Sequence, residues 1–180
     1  MTTVEPIREI KSIEKVKRIL KRQSIRNALI FILGINSGLR ISDLLALNVE
    51  DVREKAYIEV KEKKTKKFKK IPLNNKLKKK LNEYTKGKRG DSPLFLTYRN
   101  HRLDRISAYN IIKKACKKAK IKERVGTHTM RKTFGYHHYK TFNNIAMLQK
   151  IFNHSSLNIT LRYIGIEQEQ IYCSYQNLNL

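Results

Sequence analysis

The chain is short of the residues that staple a fold, bind zinc or cross a bilayer. Its two cysteines, Cys116 and Cys173, are too few for a disulfide framework. Cys116 shares an apolar helical stripe with Ile112 and Ala119, which predicts a buried structural thiol in a reducing cytoplasm. No Cys/His spacing suits zinc, so no metal is expected. No apolar run approaches the ~18 residues of a membrane helix, and residues 28–35 make only about two helical turns. No N-terminal signal peptide and no internal repeat are visible. Acidic residues are also scarce: 15 Asp and Glu stand against 40 Lys and Arg, a formal net charge of +25. That excess exceeds what solubility needs and pushes a compact fold apart, so a polyanionic partner is implied. Nucleic acid is the first candidate, because each neutralised phosphate releases counterions; an acidic membrane surface is the other. At 180 residues and 40% hydrophobic content, the chain can bury one sizeable core but not two ordinary ones, and a single domain is expected.

The pattern along the chain predicts an α+β fold, mainly helical, with one small antiparallel β-hairpin. Residues 1–11 form an extended lead-in interrupted by Pro6, and Ser12 is the expected cap of a helix carrying Val16, Ile19 and Leu20. Ser24 opens a second helix, apolar on nearly every side and therefore central, which Gly38 breaks. Helix resumes with Ser42 as expected cap, leaving Arg40 in the turn. Residues 56–60 and 68–73 read as the hairpin strands, with Pro72 at an end; Asn74 or Asn75 then caps a helix through Leu77, Leu81 and Tyr84. A loop covers 86–93, a helix runs from Ser107 to about Ala119, and helix resumes after Thr127 with turns near Asn143 and Ser155. Between Lys61 and Arg89, 14 of 29 residues are Lys or Arg. From Ile164 to Leu180 there are none, and Ile166, Ile171, Tyr172, Tyr175 and Leu178 suit a protein contact better than phosphate.

Chemistry concentrates at two places. His128 and Arg131 are three residues apart, on one side of a helical turn, and can present a proton acceptor and a donor fork to one phosphate. Tyr163 follows His154 by nine residues; a tyrosine attacks phosphorus only among pooled positive charge and proton carriers. In order, Gly38-Leu39-Arg40-Ile41-Ser42-Asp43-Leu44-Leu45-Ala46-Leu47, Lys64 eight residues before Pro72, His128-Thr129-Met130-Arg131-Lys132-Thr133-Phe134, His154 and Tyr163 resemble the tyrosine recombinase (phage integrase) family over residues 12–165.

The resemblance implies a site-specific recombinase that cleaves and rejoins double-stranded DNA through a 3′-phosphotyrosine, without cofactor, metal or small-molecule substrate. Arg40 and Arg131 would grip the scissile phosphate. Lys64 would protonate the leaving 5′ oxygen, although Lys63, Lys66 and Lys67 crowd it and one step of hairpin register would substitute another ammonium. His128 would accept the proton of Tyr163, the nucleophile, and His154 would bond the phosphate or the nucleophile. Asp43 would support the site, and Lys66, Lys67, Lys69 and Lys132 would meet DNA. Asn153 stands where the family usually has glycine. Family members generally carry an N-terminal DNA-binding domain; about 11 residues precede the first expected helix, as in an isolated catalytic domain or a short recombinase. The tail, 166–180, would dock on a neighbouring protomer, giving weak self-association alone and a tetramer on paired sites, in the cytoplasm. Two other functions remain open at this point: a DNA-binding accessory protein without productive activity, and a topoisomerase-like relaxing enzyme.

Overall fold

In a computed structural model, residues 4–61 and 68–178 are described. Among them the chain forms α1 (Ile10–Gln23), α2 (Ile25–Ser37), α3 (Ile41–Ala46), β1 (Tyr57–Lys61), β2 (Phe68–Pro72), α4 (Asn75–Thr85), α5 (Arg105–Lys118), α6 (Thr129–Phe142), α7 (Ile145–Phe152), α8 (Leu157–Ile164) and α9 (Ile166–Asn177). The strands pair antiparallel, with Tyr57 opposite Pro72 and Lys61 opposite Phe68. The α+β expectation therefore holds, and no described helix is long and apolar enough to cross a membrane.

Several helices start upstream of the expected residue. The first helix begins at Ile10, two residues before Ser12, whose hydroxyl instead donates to Glu9 Oε2 at 2.9 Å. This start turns Ile13, Val16 and Leu20 inward. The fifth begins at Arg105, because Asp104 accepts from the Ser107 backbone N–H at 2.8 Å. Asn74 caps α4 as expected, accepting from Leu77 N–H at 2.9 Å.

The central helix α2 buries Asn27 to Phe31, Leu33 and Gly34 and packs against α1, α4 and α6. It ends at Gly38, whose φ of 62° lies in the left-handed region. A larger residue there would also meet Phe134, since a Cβ would lie 2.5 Å from its ring. Around α2 lies the main core, which includes the fully buried Cys116; burial pushes its thiol up to about 12. A second, smaller cluster of Tyr136, Leu148, Phe152, Ile164 and Ile166 joins α6 to α9. Gly135 lets these helices close, because a Cβ would lie 2.7 Å from both Phe152 and Ile164.

The lead-in does not hang free. Ile7 N–H donates to Thr133 Oγ1 at 2.9 Å, and the Ile7 carbonyl lies 2.9 Å from His137 Nε2. Residues 129–133 of α6 are consequently buried one after another. The tail is likewise part of the body at its start: Ile166 is buried, Glu167 pairs with Arg162 at 3.0 Å, and Glu169 pairs with Lys140 at 2.5 Å. Beyond these, Ile171, Tyr172, Tyr175 and Leu178 are exposed.

Candidate active site

Five of the six expected catalytic residues converge at the junction of α3, α6, α7 and α8. Arg131, in the first turn of α6, is 4% exposed, and its guanidinium donates to Gly38 O at 2.5 Å and Phe152 O at 3.0 Å. It also stacks 4.4 Å from the Phe152 ring centroid. These contacts cross-brace the end of α2 and the end of α7, the two turns that deliver Arg40 and His154. Arg40 occupies the N-cap position of α3, where its carbonyl accepts from Asp43 and Leu44. The cap is thus Arg40 rather than Ser42; Asp43 is buried in the first helical turn, where a carboxylate complements the helix dipole.

His128 sits at the N-cap position of α6 with Nδ1 3.2 Å from Tyr163 Oη. His154 follows the α7 cap Asn153, whose φ of 54° is left-handed. Asparagine tolerates that conformation, which accounts for its presence where glycine would otherwise serve. Gln149 holds the turn from both sides, its carbonyl accepting His154 N–H and its amide donating to His154 O, each at 3.1 Å. His154 Nδ1 pairs with the buried Thr160 Oγ1 at 3.1 Å, which fixes the imidazole on α8. The Tyr163 ring is boxed edge-on by Phe152 at 5.5 Å and His154 at 5.1 Å. Gln149, Phe152 and Thr160 were not read from the sequence, where nothing distinguishes them from ordinary helix residues.

The electrostatics follow from cations gathered in a half-buried cleft. Burial lowers the His154 pKa to about 4, helped by Arg131 and Arg40, and lowers that of His128, helped by Arg131, Lys132, Arg105 and Arg40. Both imidazoles are therefore neutral near pH 7. Burial raises the Tyr163 phenol, and it outweighs the opposing pull of Arg131, through charge and a hydrogen bond, and of Arg40. The tyrosine holds its proton at rest and has a neutral imidazole nitrogen at its hydroxyl to receive it.

The lysines divide. Lys63, Lys64, Lys66 and Lys67 lie outside the described residues. Lys69 is half-buried on β2 and its ammonium donates to the Ile151 carbonyl, which pins the hairpin against the end of α7. Lys132, expected to meet DNA, is instead 3% exposed, with Nζ 5.2 Å from the Tyr163 ring centroid. Its position between the lead-in and α8 removes it from the surface. Among the described residues no cluster of His, Cys, Asp or Glu could hold a metal.

The phage integrase family model matches residues 7–170. The probable integrase/recombinase YoeC of Bacillus subtilis (strain 168) is 45% identical over 177 residues, covering 98% of this chain and 97% of that protein. Tyrosine recombinase XerA of Pyrococcus furiosus is 29% identical across 93% of this chain and 60% of its own length. In fold, the crystal structure of XerA recombinase matches with a TM-score of 0.76 at 20% identity, over 99% of this chain and 68% of that one. The catalytic domain of bacteriophage HP1 integrase matches with a TM-score of 0.68 at 24% identity, over 90% and 88%. The chain belongs to the phage integrase family of tyrosine recombinases.

Proposed function

We propose that this protein is a site-specific recombinase that cleaves and rejoins double-stranded DNA through a covalent 3′-phosphotyrosine. The observation that carries the reading is the 3.2 Å approach of His128 Nδ1 to Tyr163 Oη beside the buried Arg131. Tyr163 Oη gives its proton to His128 and forms a bond to phosphorus. The bond from phosphorus to the 5′ oxygen breaks, and that oxygen takes a proton from Lys64. Arg40 and Arg131 hold the non-bridging oxygens with permanently charged forks, and His154 adds a hydrogen bond. One phosphate ester replaces another, so the phosphotyrosine conserves the energy for rejoining when a 5′ hydroxyl attacks in reverse.

The basic surface supplies the affinity for duplex DNA without specifying sequence. The exposed side of α9, with Ile171, Tyr172 and Tyr175, is the surface a neighbouring protomer would cover, and pairing of two bound sites would give a tetramer. Incubation with a nicked suicide duplex carrying the attachment sequence tests the chemistry. A denaturant-stable protein–DNA adduct is expected, and Tyr163→Phe should lose it while retaining binding. Survival of the adduct in that variant would assign the nucleophile elsewhere.

A further inference from the structure

Lys132 is 3% exposed, yet its Nζ is not one of the fully enclosed, unpartnered side-chain atoms among the described residues, so the stem is packed while the ammonium keeps a small opening to water. Lys132 makes no ion pair and no side-chain hydrogen bond among the described residues. Burial lowers its pKa, and the lead-in charges work against each other, Glu5 favouring the ammonium and Arg8 opposing it. What its Nζ faces is the ring of Tyr163, at 5.2 Å from the centroid, within the range of a cation–π contact. Phe152, His154 and His128 meet the same ring edge-on, at 5.5, 5.1 and 6.4 Å between centroids.

We propose that Lys132 is a positioning residue for Tyr163: its ammonium, set over the ring, holds the ring in place and favours the phenolate over the phenol. The contact strengthens on ionisation, because a phenolate spreads negative charge into the ring that the cation faces, whereas a phenol offers only its quadrupole. Phenolate character develops when Tyr163 attacks phosphorus, and again when it leaves as the 5′ hydroxyl rejoins the strand. Lys132 therefore serves cleavage and ligation alike. It works alongside Arg131 and Arg40, which act at the hydroxyl end, with His128 and His154 neutral beside the ring and Arg105, Arg8 and Glu5 at greater remove.

This inference rests on Tyr163 as nucleophile, so its test has one readout that needs no DNA. In full-length protein labelled with 13Cζ-tyrosine, the Tyr163 resonance, identified by its loss in Tyr163→Phe, is titrated in wild type and in Lys132→Met, Lys132→Gln and Lys132→Arg. Because burial lowers the pKa of Lys132 and raises that of Tyr163, the lysine can lose its proton before the phenol does; Lys132→Arg, charged throughout, should therefore titrate about one pH unit below the two neutral variants, a tenfold change in ionisation. Single-turnover cleavage of the suicide duplex should shift along the pH axis in the same way, converging with wild type at high pH. Equal titration of Tyr163 in Lys132→Arg and in the neutral variants overturns the proposal, as does a rate lowered equally at every pH. Failure of both neutral variants to fold also overturns it, since Lys132 would then be a structural cation. If wild type forms no adduct but the titration still moves, the recombinase reading fails and the Lys132–Tyr163 coupling stands.

Discussion

Replacing Gly38 by alanine should damage both stability and chemistry, and Gly87→Ala separates the two causes. Each glycine has positive φ, 62° and 74°, but a Cβ at Gly87 meets nothing within 4 Å, whereas at Gly38 it lies 2.5 Å from Phe134. Left-handed backbone costs a residue with a Cβ about 1–2 kcal/mol, offset by about 0.4–1 kcal/mol from the stiffer unfolded chain. Overpacking against an enclosed ring adds about 1–3 kcal/mol. Gly38→Ala should therefore lose about 2–4 kcal/mol, lowering the melting temperature by roughly 5–15 °C in a chain of this size, against roughly 2–4 °C for Gly87→Ala.

The chemical loss follows from the Gly38 carbonyl, which accepts from Arg131 Nη1. Displacing it moves a guanidinium that also braces Phe152, and misplacing by ~1 Å the group proposed to grip the phosphate costs on the order of a hundredfold. Adduct formation, measured well below the melting transition, should fall tenfold or more in Gly38→Ala and stay near wild type in Gly87→Ala. Equal melting temperatures and equal cleavage rates for the two variants would refute the reasoning, because a Cβ at Gly38 meets Phe134 and disturbs the carbonyl that holds Arg131, whereas one at Gly87 meets nothing within 4 Å.

The titration of His154 predicts an acid-side loss of stability. Its pKa in the folded protein, about 4, lies below its ordinary 6.5, so the unfolded chain binds the proton first. Stability is full above 6.5 and falls as pH drops toward about 4, with His128 and His138 contributing in the same direction. Denaturant melts across this window should show a shallower pH slope in His154→Gln than in wild type, and an unchanged slope would contradict the assignment. For α9, truncation after Gln170 keeps buried Ile166 and the pairs Glu167–Arg162 and Glu169–Lys140. It should leave the melting temperature and binding to a single site nearly intact and abolish pairing of two sites on a native gel; an equal loss of single-site binding would place α9 on DNA instead.

How much of this was legible in the sequence depends on whether the signal was local. Helices whose apolar residues repeat at three and four, such as Val16 and Leu20, or that carry their own cap, such as Asn74, could be placed within about three residues. The motif residues could be placed in order, and the structure brings Arg40, His128, Arg131, His154 and Tyr163 together. Their scaffolding was not legible, because it consists of backbone carbonyls, Gly38 O and Phe152 O, and of polar side chains such as Thr160 whose partners are set by tertiary contact.

Charge pattern failed for a specific reason at Lys132. A run such as Thr129-Met130-Arg131-Lys132-Thr133 reads as a wet helix start, since apolar periodicity is what marks an enclosed face. Five consecutive buried positions cannot share one face of a helix, so α6 must be covered on several sides here. The coverings come from chain far away: the lead-in through the Ile7–Thr133 bond, and α7 and α8 through Phe152 and Tyr163. A surface helix gains nothing from such enclosure, whereas a site that must move a tyrosine's proton does. A partly enclosed setting strengthens the pull of Arg131 and Arg40 on Tyr163, so the polar character that hid this helix as core is the character that suits it to the proposed site.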